Sequence, residues 1–64
     1  MLIKLTNAHA DHKDKPLIIN TEYILSFYPT KNDEEEEIVF AFGVQGNVWH
    51  IKETIDEIME KLNG

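Results

Sequence analysis

Cysteine is absent from this chain and so is arginine, and the two absences exclude different things. Without cysteine there is no disulfide framework and no thiolate zinc site, and a reducing compartment suits the composition. Without arginine, 6 lysines face 12 acidic residues, a formal net charge of −6. Proteins that grip nucleic acid neutralise phosphates with clustered Lys and Arg, so direct DNA or RNA binding is not expected. An anionic membrane surface repels the chain for the same reason. Long apolar runs are missing too. No window approaches the roughly 20 residues of a membrane span, and the alternating start, Met1 to Thr6, lacks the apolar stretch of a secretion signal. The expectation is a soluble, cytoplasmic protein. Serine occurs once, at Ser26, inside an expected strand. There is no nucleophile elbow, phosphate-cradling glycine loop or dinucleotide fingerprint, so no enzymatic activity is expected and no cofactor is implied.

What is present fits one domain, residues 1–64. A chain of this length buries only about 60% of the surface its unfolded form exposes. Small domains compensate with disulfides, a metal or self-association. With no cysteine available, a homo-oligomer or a protein partner is the expected source of further buried area.

The hydrophobic pattern changes period near the end. Leu2 to Thr6 alternates as a first strand, and Asn7 to Lys15 is a polar loop. Leu17-Ile18-Ile19 forms a second strand between Pro16 and Asn20. Thr21 to Tyr23 is a turn, or one turn of helix capped by Asn20. Ile24 to Tyr28 is a third strand closed by Pro29, and Thr30 to Glu37 is an acidic connecting loop. Ile38 to Phe42 alternates large and small residues, which assigns Ile38, Phe40 and Phe42 to the core and Val39 and Ala41 to the other face. The glycines of Gly43 to Asn47 suit a hairpin turn, and Val48 to Ile51 returns as its partner strand. Then Ile55, Ile58, Met59 and Leu62 recur at i, i+3, i+4, i+7, the stripe of an amphipathic helix. Thr54 and Glu57 fit a capping box at its start, while Gly64 stands late for a C-cap, so a frayed end is expected. The fold class is α+β: four or five short antiparallel strands, as a small sheet or an SH3-like open barrel, with one C-terminal helix across the Ile38, Phe40, Phe42 face.

Few residues offer chemistry. His9, Asp11, His12 and Asp14 are ligand types at close spacing, but they sit in a polar loop with nothing rigid to fix them on one ion. His50, between Trp49 and Ile51, reads as a half-buried strand residue on the outward face. Glu34, Glu35, Glu36 and Glu37 form either a solvated acidic loop or a phosphate-like surface for a basic groove. Trp49 and Phe27 supply aromatic mass. Phe27 and Tyr28 are adjacent in a strand and face opposite sides, so one of them is exposed or lies at a contact.

Three stretches together carry a resemblance. Ile3-Lys4-Leu5-Thr6, then Ile19-Asn20 with Ile24, then Ile51-Lys52-Glu53-Thr54 before a short amphipathic helix resemble the FlbD-like (SwrD) proteins, very small proteins encoded in bacterial flagellar operons. That family has a strand beginning I-K-L-T, an I-N-x-x-x-I segment and a V-K-E-S strand-to-helix junction in this order. Here Thr54 stands in place of the Ser. The resemblance spans most of the chain outside residues 7–15 and 30–37. The family's P-D-T-x-I-T-L stretch is echoed only at Pro29, and its N-G turn is replaced by Gly43 to Asn47. The resemblance implies no catalytic residues and a small accessory role. The expected function is thus a non-enzymatic accessory protein acting through protein–protein contacts at Phe27, Tyr28 and Trp49. The alternative is an acidic, phage-like inhibitor whose Glu34 to Glu37 occupy a partner's nucleic-acid-binding site.

Overall fold

Alternation in the first residues sends Ile3 and Leu5 to one side of a strand, β1 (Leu2–Thr6), and Lys4 and Thr6 to the other. The computed structural model, which describes residues 1–64, pairs β1 antiparallel with β2 (Pro16–Asn20), so that Ile3 faces Ile19 and Leu5 faces Leu17. Asn20 Oδ1 accepts the Glu22 N–H and caps a single 3₁₀ turn over Thr21–Tyr23. The chain then enters a three-stranded meander of β3 (Ile24–Lys31), β4 (Glu37–Gly43) and β5 (Val48–Ile51), in that spatial order.

The last element, α1 (Ile55–Asn63), opens on the expected capping box: Thr54 Oγ1 accepts the Glu57 N–H at 3.1 Å while Glu57 Oε1 accepts the Thr54 N–H at 3.2 Å. The Gly64 N–H donates to Glu60 O at 2.9 Å, so the helix is hydrogen-bonded to its end and does not fray there as expected. The protein is therefore α+β, with five strands in two small antiparallel sheets and one C-terminal helix, and the strands do not close a barrel.

The two sheets meet at one corner. Asn7 bridges Ile51, the Ala8 N–H donates to His50 O, and the Lys52 N–H donates to Thr6 O, each hydrogen bond at 2.9 Å. Glu53 completes the join by accepting from the Thr6 N–H at 2.8 Å and from Thr6 Oγ1 at 3.0 Å. One core fills the angle between the sheets and the helix: Ile3, Leu5, Ile19, Val39, Ala41, Ile51 and Ile58.

That core inverts the expected faces of β4. Val39 and Ala41 point inward and are essentially inaccessible, whereas Phe40 and Phe42 lie on the outer face and stay half-buried. The reason is spacing. Phe27 and Trp49, the cross-strand neighbours of Ala41, pack against the core on the inner side, so the strand between them has room there only for smaller side chains. At Gly43, on the same inner face, an added Cβ would stand 2.5 Å from the Trp49 ring. Ile38 is the exception: it lies on the outer face and is buried there, as expected, beside the turn that precedes it.

Three other expectations are corrected. β3 does not stop at Pro29 but runs through it to Lys31. It is the outermost strand of its sheet, where a missing N–H costs no ladder bond. Residues 30–37 are not a long loop: Lys31 pairs with Glu37, and only Asn32–Glu36 forms the turn between them. Asn32 Oδ1 accepts the N–H groups of Glu34 and Glu36, which holds the turn with Glu35 at φ 63°. Finally, Met59 does not belong to the buried stripe of α1. It is 48% exposed, while Ile58 is buried and Ile55 and Leu62 pack against the core.

Candidate contact surface

The inverted strand leaves an apolar face that is only partly covered: Ile38 is buried, Phe40, Phe42 and His50 are half-buried, and Tyr28 and Val48 are exposed. Cross-strand pairing places side chains in rows on the outer side of the meander: Ser26, Phe42 and Val48 in one, Tyr28, Phe40 and His50 in the next, Thr30 and Ile38 in the last. The aromatic rings touch in sequence. Tyr28 meets Phe42 edge-on with centroids 5.8 Å apart, Phe42 meets Phe40 at 6.2 Å, and Phe40 stacks on His50 at 4.4 Å. No Lys, Asp or Glu belongs to any of these rows, although the chain is 28% charged. Tyr28 is 60% exposed and Val48 42%.

At the far side of this face the His50 ring meets His9 at 4.9 Å, and His9 meets His12 at 6.3 Å. The loop that carries His9 is ordered by its own bonds. His9 Nδ1 accepts the Asp11 N–H, the Lys15 N–H donates to His12 O, and Asp14 takes a left-handed φ of 66°. Burial, with a further contribution from the nearby His9, holds the His50 imidazole below the usual histidine range. No group of three His, Asp or Glu side chains is close enough to hold a metal ion. His9, Lys13, Asp33 and Glu34 border a shallow depression of about 320 Å³ floored by Ile38, Phe40 and His50.

The residues expected from sequence to make contacts do not share one surface. Phe27 faces Ala41 and Trp49 lies beside it on the inner side, and both pack against the core. Tyr28 alone among the three points outward. The glutamates belong to the 32–36 turn and to the first residue of β4. Glu36 Oε1 lies 3.9 Å from Lys13 Nζ and Glu35 Oε2 4.0 Å from Lys31 Nζ, while Glu37 is paired in the sheet. Glu34 borders the depression beside His9.

Phe40, Phe42, Val48 and His50 were not singled out as contact residues. The signal that finds them is the row register set by the 43–47 turn, which lines up an uncharged strip across three strands. The Lys52-Glu53 junction also has a structural task that sequence alone did not reveal. Lys52 Nζ donates to Asp14 Oδ1 at 2.6 Å, which holds the Asp14 carboxyl below its usual range and ties the first loop to the end of β5.

No family model matches the chain, and no curated protein or solved structure is detectably similar to it. No helix is long and apolar enough to cross a membrane.

Proposed function

We propose that this is a small, non-enzymatic, cytoplasmic accessory protein that acts through protein–protein contacts, self-association included. The observation that carries the reading is the uncharged strip formed by the aromatic Tyr28, Phe42 and Phe40 with Val48 beside them, on an acidic chain. Interface centres are depleted in charge and enriched in aromatic side chains, and a sheet face of this kind suits that role. The resemblance to the FlbD-like proteins, strongest at Ile51-Lys52-Glu53-Thr54, agrees with an accessory role. The alternative, an acidic inhibitor acting through Glu34 to Glu37, is less favoured because Glu35 and Glu36 each lie within 4.0 Å of a lysine, which offsets part of their charge.

The test is affinity capture with the wild-type chain and two variants. Tyr28→Glu is expected to abolish capture, and replacement of Glu34 to Glu37 by Gln is expected to leave it intact. The reverse pattern would favour the inhibitor and end the present reading.

A further inference from the structure

We propose that the contact between the His9 and His50 rings is an acid-released latch: when both imidazoles are protonated, the tip of the first loop, residues 8–13, swings off the β3–β4–β5 sheet. The inference stands apart from the contact-surface reading, because it holds whether or not a partner binds that face.

The tip is pinned at its base and held by little else. Asn7 bridges Ile51 on one side, and on the other Lys52 Nζ donates to Asp14 Oδ1 at 2.6 Å. Between these points a single backbone hydrogen bond, from the Ala8 N–H to His50 O at 2.9 Å, joins the tip to the meander. Residues 9–13 are all exposed, and the 3₁₀ turn among them, Ala10–His12, buries no side chain. A segment without apolar anchors opens well before the fold does. Two side-chain contacts remain to hold it. Lys13 Nζ lies 3.9 Å from Glu36 Oε1, an exposed ion pair of small worth. The other is the His9 ring against the His50 ring, with centroids 4.9 Å apart.

That ring contact depends on charge. Two neutral imidazoles pack, whereas two imidazolium ions at this separation repel, on the order of ten- to a hundredfold in an opening equilibrium. His50 cannot move away, since its ring is stacked on Phe40 at 4.4 Å and its backbone is paired in β5. The exposed tip is the partner that yields. Burial and the nearby His9 hold the His50 imidazole below the usual histidine range, so the open form takes up protons more readily than the closed one. Opening is therefore favoured as pH falls below the ordinary histidine value near 6.5.

The charges around the pair leave this sign in place. Asp11 Oδ2 stands 3.8 Å from His9 Nδ1, but it belongs to the tip and travels with it. His12, its ring 6.3 Å from that of His9, rides on the tip as well. Lys13, Lys31, Asp33 and Glu34 line the depression beside His50, two of each sign. Asp14 and Lys52 are paired with each other at the base. Ala8, His9 and Ala10 form one wall of that depression, so release of the tip lays open its floor at Phe40.

Nuclear magnetic resonance of the whole chain at pH 7.5 and 5.5 decides the matter. Cross-relaxation between the ring protons of His9 and His50 is expected at the higher pH and lost at the lower. Protection of the Ala8 amide, referred to its intrinsic exchange rate at each pH, is expected to fall roughly tenfold. The Ile58 amide, bonded to Thr54 O in α1, is expected to keep its protection. His9→Gln and His50→Gln each leave one titrating ring of the pair, and Ala8 protection in both is expected to be the same at the two pH values. His12→Gln is expected to respond as the wild type does. Ring contact that survives at pH 5.5 overturns the proposal, and so does an equal loss of protection at Ala8 and Ile58. A full response in His9→Gln or His50→Gln, or none in His12→Gln, overturns it as well.

Discussion

His50 shows how one side chain can be set by neighbours distant in sequence. Its ring is clasped between Phe40 and His9, and burial disfavours the charged form. A free histidine titrates near 6.5, so as the pH falls the unfolded chain takes up this proton before the folded one. Stability from this group is full above about pH 6.5 and declines as pH falls from there toward the lowered folded value. Lys13, Lys31, Asp33 and Glu34 border the same depression and share its field. The thermal midpoint is expected to drop between pH 7.5 and 5.5, and His50→Gln is expected to flatten that part of the profile. An equal drop in the variant would assign the effect to another group. Asp14 acts in the same direction but in the lower carboxylate range, because its Lys52 partner favours the ionised form. The two contributions separate on the pH axis.

Among the elements, α1 and β4 mark opposite limits of what the sequence discloses. The start of α1 was legible to the residue, because Thr54 and Glu57 satisfy backbone groups that any helix must satisfy, whatever it packs on. The facing of β4 was not. Residue size suggested that Phe40 and Phe42 were the core, but size says nothing about how closely two layers approach. Only the pairing register, which sets Phe27 and Trp49 beside Ala41 and the Trp49 ring against Gly43, makes Val39, Ala41 and Gly43 the fitting residues. Pro29 misled for a related reason, since its tolerance depends on β3 lying at an edge. The contact surface inherits that limit: Tyr28 was recognised from its neighbour Phe27, and the rest of its face required the pairing register. Within α1 itself, Ile58 and Met59 occupy one sequence stripe with different fates. Ile58→Ala is expected to cost about 2–5 kcal/mol, the range for emptying a buried aliphatic site. Met59→Ala is expected to change stability by less than about 0.5 kcal/mol, as at other exposed positions. Denaturant titration of both variants checks the assignment, and similar losses would contradict it.

For the whole molecule, the small core accounts for the importance of a few polar ties. Eight apolar residues are buried, and none of the buried side chains is polar or charged. A domain of this size stands only a few kcal/mol above unfolding, so each long-range hydrogen bond is a sizeable share of the total. The corner where the sheets meet concentrates such bonds, and Glu53 anchors two of them on Thr6. Its consequence concerns the order of events in time. The β1–β2 pair and the β3–β4–β5 meander are each built from strands adjacent in sequence, whereas the Thr6–Glu53 tie spans 47 positions. Closing so long a segment is slow and comes after local pairing. Glu53→Ala, which removes hydrogen bonds to a charged acceptor worth about 1.5–3 kcal/mol, is therefore expected to accelerate unfolding in stopped-flow measurements while leaving the refolding rate nearly unchanged. The fold would then assemble as two independent ribbons, and the clasp between the chain's beginning and its end would set how long the native state survives.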